Sequence, residues 1–330
     1  MRGNTVTTNV LVLLDSPETQ LRSAALELLT IARSLGRPKA VTLGSPSVTT
    51  LAQLGAYGVD TVLQAELPTS LSPGAEHLTA VVSQTLATAV RRANADVVLL
   101  SATFPNKEAA ARLAYELGAG LVIDAAAVRA EDGKAVGYKR VFAGSWDTAC
   151  EVSTDVAVFT VRANSVVPEP AESSVATEVI GFPVEVPASA TRVTVVSREE
   201  KPVVEGGRPS LAEAASVVAG GRGTDGDFAP IEELADALGA AVGATRDAVY
   251  EGWFDTFIGQ TGVTIAPRLY IGAGISGAPH HRGGMQASQV IVAVNNDSDC
   301  PLFEIADFAV VGDLAEVLPQ AAKVIREHKG

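Results

Sequence analysis

Short apolar runs alternate with longer segments whose apolar residues recur every three or four positions, and this alternation fills most of the chain. Val10-Leu11-Val12-Leu13-Leu14 has the length and continuity of a strand buried on both faces. Residues 21, 25, 28, 29, 32 and 35 then follow helical spacing up to Gly36, a residue suited to stopping a helix. The pair of signals repeats through Ala40-Val41-Thr42-Leu43, a helix near Thr49 to Ala56, Thr61-Val62-Leu63, a helix near Glu76 to Ala93, and Asp96 to Ser101. A helix from Lys107 to Leu117 and the strand Leu121-Val122-Ile123-Asp124 complete the series. Strands separated by helices are joined by crossovers, so the expected fold is α/β with a mostly parallel sheet covered on both sides.

The pattern changes twice. Between Val128 and Arg162 it becomes strand-rich, and antiparallel edge strands are expected to finish the first domain there. From Pro168 to Arg208 prolines and the charged run Arg198-Glu199-Glu200-Lys201-Pro202 have linker composition. The boundary is placed near 205, giving a domain over 1–204, its linker near 185–208, and a second over 205–330. Alternation then restarts at Ala215 to Ala219 and continues through Ile231 to Leu238, Leu269 to Ala273, Val290 to Val294, Phe308 to Val311 and a closing helix from Leu314 to Glu327. Two doubly wound, mostly parallel sheets are expected, the second one smaller.

A formal charge of −13 disfavours nucleic acid or an anionic membrane surface as partner, since both attract cationic proteins. No apolar run reaches the ~18 residues of a membrane span, and Asp15 interrupts the N-terminal run before it resembles a secretory core. The chain is expected to be cytoplasmic, without membrane insertion. Cys150 and Cys300 are isolated from one another and from histidine spacings, so no disulfide framework and no metal site are expected.

The residues that suggest chemistry cluster after strands of the second sheet. Gly220-Gly221-Arg222-Gly223-Thr224-Asp225-Gly226 contains G-x-G-x-x-G, the spacing of a dinucleotide turn, although Asp227 to Pro230 separate its last glycine from the next helix. About 20 residues on, where an NAD site carries an acid, stands Thr245-Arg246, which suits a 2′-phosphate and keeps an NADP-dependent oxidoreductase as one alternative. Thr245 also has the chemistry of a helix N-cap. Gly259-Gln260-Thr261-Gly262 precedes the Leu269 strand. That strand runs into Gly274-Ile275-Ser276-Gly277-Ala278, whose small residues admit close approach to the main chain, and then into Pro279-His280-His281-Arg282. Asn295 and Asp313 end later strands. All these positions fall at the carboxyl ends of strands, the rim at which parallel sheets bind ligands. The first sheet by itself leaves an adenine-nucleotide-binding regulatory module as the other alternative.

With those residues in view, the second domain resembles the electron-transfer flavoprotein alpha subunit. The likeness rests on Leu269 to Ala278, His281, Gly284-Met285, Val290 to Asn295, Pro301-Leu302-Phe303 and Ala306-Asp307. The turn at 220–223, the Val242 to Arg246 segment and Gly259 to Gly262 extend it. It is close over about 205–325 and looser in the first domain. The resemblance implies a Rossmann-like domain holding FAD, a beta subunit completing a heterodimer, and an electron carrier that transforms no substrate itself. Electrons would pass from flavin dehydrogenases through a flavin semiquinone to a quinone oxidoreductase or another acceptor. Arg222 and Thr245 would contact the nucleotide side of FAD and Arg246 its isoalloxazine. Ile258, Gly259, Gln260 and Thr261 would meet the ribityl chain and the N5 region. Ser276, Gly277, Ala278, Pro279, His280 and His281 would surround pyrophosphate and ring, with His281 at the flavin O2. Asn295, Asp313 and Leu314 would bind the adenosine end. Arg246, His281 and Thr261 are the implied redox-tuning residues. His280 stands where the family commonly has glutamine, and Arg282 is less usual there.

Overall fold

A computed structural model describes residues 8–142, 144–199 and 207–329. It divides into two compact units, Met1–Lys139 with Thr148–Lys201, and Arg140–Asp147 with Pro202–Gly330. The boundary anticipated near 205 lies outside the described residues.

The first unit runs β1 (Asn9–Leu13), α1 (Ser23–Leu35), β2 (Arg37–Thr42), α2 (Val48–Ala56), β3 (Thr61–Glu66), α3 (Thr79–Ala93), β4 (Val97–Ser101), α4 (Phe104–Leu117) and β5 (Gly120–Ala125). Next come β6 (Ala127–Glu131), β7 (Lys134–Val141) and β8 (Trp146–Glu151), the end of β7 and the start of β8 being counted with the second unit, then β9 (Ala157–Val161) and β10 (Glu178–Pro183). Seven strands form a sheet in the order β10-β3-β2-β1-β4-β9-β5, every pair parallel. Side chains alternate across a strand, and β1 shows the result. Val10 and Val12 enter one core with Leu28, Leu29 and Leu54 of α1 and α2, whereas Leu11 and Leu13 enter the other with Leu86 and Leu113 of α3 and α4.

Two expectations are corrected. Val156 to Val161 is not an antiparallel edge: β9 lies between β4 and β5, parallel to both, and all five of its residues are buried. Among the described residues, antiparallel pairing is found in a separate three-stranded sheet, β6-β7-β8. Nor is 168–208 linker throughout, because β10 closes the far edge of the main sheet against β3. An edge strand is open to solvent on one side, and its exposed Glu178, Val179, Gly181 and Pro183 mask the usual apolar run.

Glu27, 1% exposed within α1, has a structural duty. Its carboxylate accepts the Ser165 amide at 3.0 Å and the Ser23 hydroxyl at 3.2 Å, tying α1 to the turn after β9. Hydrogen bonds to an ionised group contribute about 1.5–3 kcal/mol, so Glu27→Ala should cost about 2 kcal/mol of stability in urea unfolding. An unchanged midpoint would show that the tie is dispensable.

The second unit carries β11 (Ser216–Gly220), α5 (Ala229–Leu238), β12 (Ala241–Ala244), α6 (Arg246–Tyr250), β13 (Leu269–Ala273), α7 (Pro279–Met285), β14 (Val290–Asn295), β15 (Phe308–Val311) and α8 (Leu314–Lys329). Its five parallel strands are ordered β12-β11-β13-β14-β15, so the order in which strands are added reverses between β11 and β13. One face is covered by α5 and α8, which pack on Val218, Ile271 and Val294. The opposite face, with Val217, Tyr270 and Ile291, is covered by Ile258, Ile265, Met285 and Leu302 from loops and short helices. Loops rather than a long helix therefore flank the carboxyl ends of β11 and β13, where a cleft opens.

Candidate functional site

The cleft, about 230 Å³, sits at the point of reversal, where open α/β sheets receive ligands. Its back is made by two glycine turns that interlock. A Cβ on Gly221 would stand 2.5 Å from the Gly274 carbonyl oxygen, and one on Gly223 would stand 2.8 Å from the Gly274 Cα. The Gly221 and Gly223 amides donate to the carbonyls of Ala273 and Gly274 at 3.2 and 3.0 Å. These glycines serve backbone packing, and their amides are already engaged. The departure from a dinucleotide turn seen in the sequence has its counterpart here: the third glycine, Gly226, lies against Trp253, and α5 begins only at Ala229.

Donors for an anion come from the turn after β13. Ser276, Gly277 and Ala278 line the cleft, and their amides have no partner among the described residues. Gly277 is buried while Ser276 and Ala278 are exposed at the cleft mouth, and successive main-chain amides left without a protein acceptor form a concavity suited to oxygen atoms of a ligand. Cations flank them. Arg222 and Arg246 line the cleft, Arg222 with its Nε 3.1 Å from Asp247 and Arg246 with its guanidinium 5.9 Å from the Tyr250 ring centre. Thr245 precedes α6 in extended conformation, but its side chain makes no capping bond, which leaves the hydroxyl to the cleft.

The remaining wall is formed by Ile258, Gly259, His280 and His281. The Gln260 amide donates to the His280 carbonyl at 2.8 Å, fastening this loop to α7. His281 is 6% exposed, its Nδ1 is 3.1 Å from the Ile258 carbonyl, and its Nε2 is 2.8 Å from the Tyr270 hydroxyl. A carbonyl can only accept, so Nδ1 carries the proton and Nε2 accepts from Tyr270. Burial favours the neutral ring and pushes its pKa down to about 4, partly offset by the Ile258 bond. Both ring nitrogens are thus engaged within the wall, and this arrangement presents no His281 donor for a flavin O2.

Other anticipated residues lie beside the cleft instead of lining it: Gln260, Thr261, Pro279, Asp313 and Leu314. Asp313 accepts the Ala315 amide at 2.8 Å, the geometry of a helix cap, and Leu314, the first residue of α8, packs into the core. Asn295 does line the cleft, with its amide on the Ile275 carbonyl at 3.2 Å. Sequence reasoning overlooked Asp247, Phe257, Asp297, Cys300 and Pro301. Applying the strand-end rule to the whole loop after β14 would have found the last three.

The donor set suits a dinucleotide. Free amides and Arg222 match a pyrophosphate, and the apolar and small residues beside them leave room for flat rings. Comparison with known proteins points the same way. The electron transfer flavoprotein domain family matches residues 10–187, and the electron transfer flavoprotein FAD-binding domain family matches residues 210–286. Among curated relatives, the electron transfer flavoprotein subunit alpha of Mycobacterium leprae is 45% identical over 325 residues, 97% of this chain and 99% of that one. The protein of the same name from Bacillus subtilis is 36% identical over 321 residues, 94% and 95% of the two chains. That of Paracoccus denitrificans reaches 54% over a 122-residue stretch, 36% of this chain and 40% of that one.

Proposed function

Because this chain belongs to the electron transfer flavoprotein alpha-subunit family and carries its FAD-binding domain, we propose that it is the flavin-bearing half of a heterodimeric electron carrier. Its partner would be a beta subunit, its two domains would divide near residue 205, and it would transform no substrate of its own. Electrons would arrive from flavin dehydrogenases and leave for a quinone oxidoreductase or another acceptor. The edge strand β15, with Phe308 63% and Val311 60% exposed, supports the presence of a covering partner. No helix among the described residues is long and apolar enough to cross a membrane.

The observation that carries the reading is the row of three unpartnered amides at 276–278 flanked by Arg222 and Arg246. FAD bound there supplies one- and two-electron redox chemistry, which the protein side chains lack. The amides and Arg222 would hold the pyrophosphate, and Thr245 would add a hydroxyl on the nucleotide side. Ile258, Gly259 and the dry Tyr270–His281 pair would wall the flavin from water, while Asn295 would shape the adenosine end. Arg246 would place a fixed positive charge where the isoalloxazine becomes more negative on reduction.

Coexpression with the beta subunit tests the reading. The purified complex should be yellow, with one FAD on this chain; a colourless complex that binds NADP would overturn it. Arg246→Ala should keep flavin yet lower the half-reduced fraction in stepwise photoreduction by about tenfold, the scale of one partly screened charge interaction. An undiminished fraction would remove Arg246 from this role.

A further inference from the structure

Resting on the flavin-dinucleotide reading, we propose that Arg282 is a positioning residue that works with Asn295 and Cys300 as a clamp on the turn between β13 and α7. The clamp holds three successive carbonyls on its outer side and so aims the amides of residues 276–278 into the cleft. In a trans peptide the carbonyl of one residue and the N–H of the next point in opposite directions. Fixing the oxygens of Ile275, Ser276 and Gly277 therefore fixes the directions of the next three N–H groups.

Each oxygen has a donor. The Ile275 carbonyl accepts from the Asn295 side-chain amide at 3.2 Å and from the Cys300 thiol at 3.3 Å. The Ser276 carbonyl is 3.7 Å from the same thiol. The Gly277 carbonyl accepts from Arg282 Nε at 2.7 Å, the shortest and only charge-assisted member of the set. Arg282 is itself held, with the Glu304 carboxylate at 3.0 Å and a further bond to the Pro301 carbonyl. Its side chain is 19% exposed and does not line the cleft, so it acts through the turn. The turn has little freedom to respond in another way. Gly277 has φ +82°, and a Cβ there would stand 2.7 Å from the Leu302 nitrogen, so the turn is seated directly on the segment that Arg282 grips.

The test uses the full chain with its beta subunit, stripped of flavin and titrated with FAD. Arg282→Leu should raise the FAD dissociation constant about tenfold or more, the worth of one charged hydrogen bond. Arg282→Lys, which keeps a charged donor, should recover part of it. The midpoint potential of the flavin that does bind should stay unchanged, because the clamp acts on the pyrophosphate turn. In the flavin-free chain, the Leu variant should exchange its amide hydrogens at 281 and 282, which donate to the Ala278 carbonyl at the end of the turn, faster while α5 and α8 exchange as before. Unaltered affinity in Arg282→Leu would overturn the clamp, as would exchange accelerated equally everywhere. A wild type that takes up no flavin would instead sink the flavin reading, whereas the exchange measurement needs no flavin and still decides the clamp.

Discussion

Gly284→Ala should leave the chain with little or no bound flavin and destabilise the second unit by about 2–3 kcal/mol, the upper part of the range of about 1–3 kcal/mol usual for overpacking. Within α7 an alanine is intrinsically the better helix former by about 1 kcal/mol, so local propensity predicts the opposite. The contact decides. A Cβ on Gly284 would stand 2.4 Å from both the nitrogen and the Cα of Gly259, distances at which backbone has to move. No flexible side chain is there to yield. Moving α7 away would stretch the bond from the Ile265 amide to the Gly284 carbonyl, 2.8 Å, and that from the Gln260 amide to the His280 carbonyl, also 2.8 Å. His280, His281 and Gly259 all line the cleft, so the displacement reaches the flavin wall directly. Chemical unfolding and the flavin content of the purified complex measure the two effects. A variant that is as stable and as yellow as wild type would show that this backbone contact is looser than described.

That contact also marks the limit of what sequence reading reaches. The β–α alternation was legible because each strand of a two-sided sheet must be apolar on both faces, as Val10 to Leu14 are. The rim residues were legible for a related reason: in a parallel sheet, loops after strands converge on one edge, so Arg222, Arg246, Ser276 and Asn295 meet although they lie far apart in the chain. β10 was not legible, since an edge strand needs no continuous apolar run. The roles of the glycines in 220–223 were not legible for a different reason. A glycine that admits a phosphate and one that admits another backbone are identical in sequence, and only the approach of Gly274 separates them. The same holds for Asp247 and Cys300, whose neighbours in the cleft come from other loops. Asp15 gives one more case: after β1 it stands at the rim of the first sheet, where it accepts from Ser101 and from Asn106 at 2.9 Å. Both partners come from another strand end and another helix, so the contact has no local signal in the sequence.

Lowering the pH from 7 to about 5 should cost the second unit about 2 kcal/mol, rising to on the order of 3 kcal/mol near pH 4. The source is His281. In the unfolded chain its imidazole titrates near the ordinary value of 6.5, but in the folded wall burial depresses its pKa to about 4. Between those values the unfolded state binds a proton that the folded state refuses, so stability rises with pH across the window and falls as acid is added. Below about pH 4 both states are protonated and the loss levels off. Protonation in the folded state has nowhere to go cheaply: Nδ1 already donates to Ile258, and a proton on Nε2 would require the Tyr270 hydroxyl, itself fully buried, to turn and give up its own bond. Carboxylates complicate only the acid end. Asp147 and Asp236 are held below the ordinary carboxylate value by hydrogen bonds from Arg140 and Arg208, so they respond further down the scale. His281→Gln cannot titrate, and its unfolding free energy between pH 7 and about 5 should be nearly flat. If wild type and variant lose stability in parallel over that interval, the buried imidazole is not the group responsible.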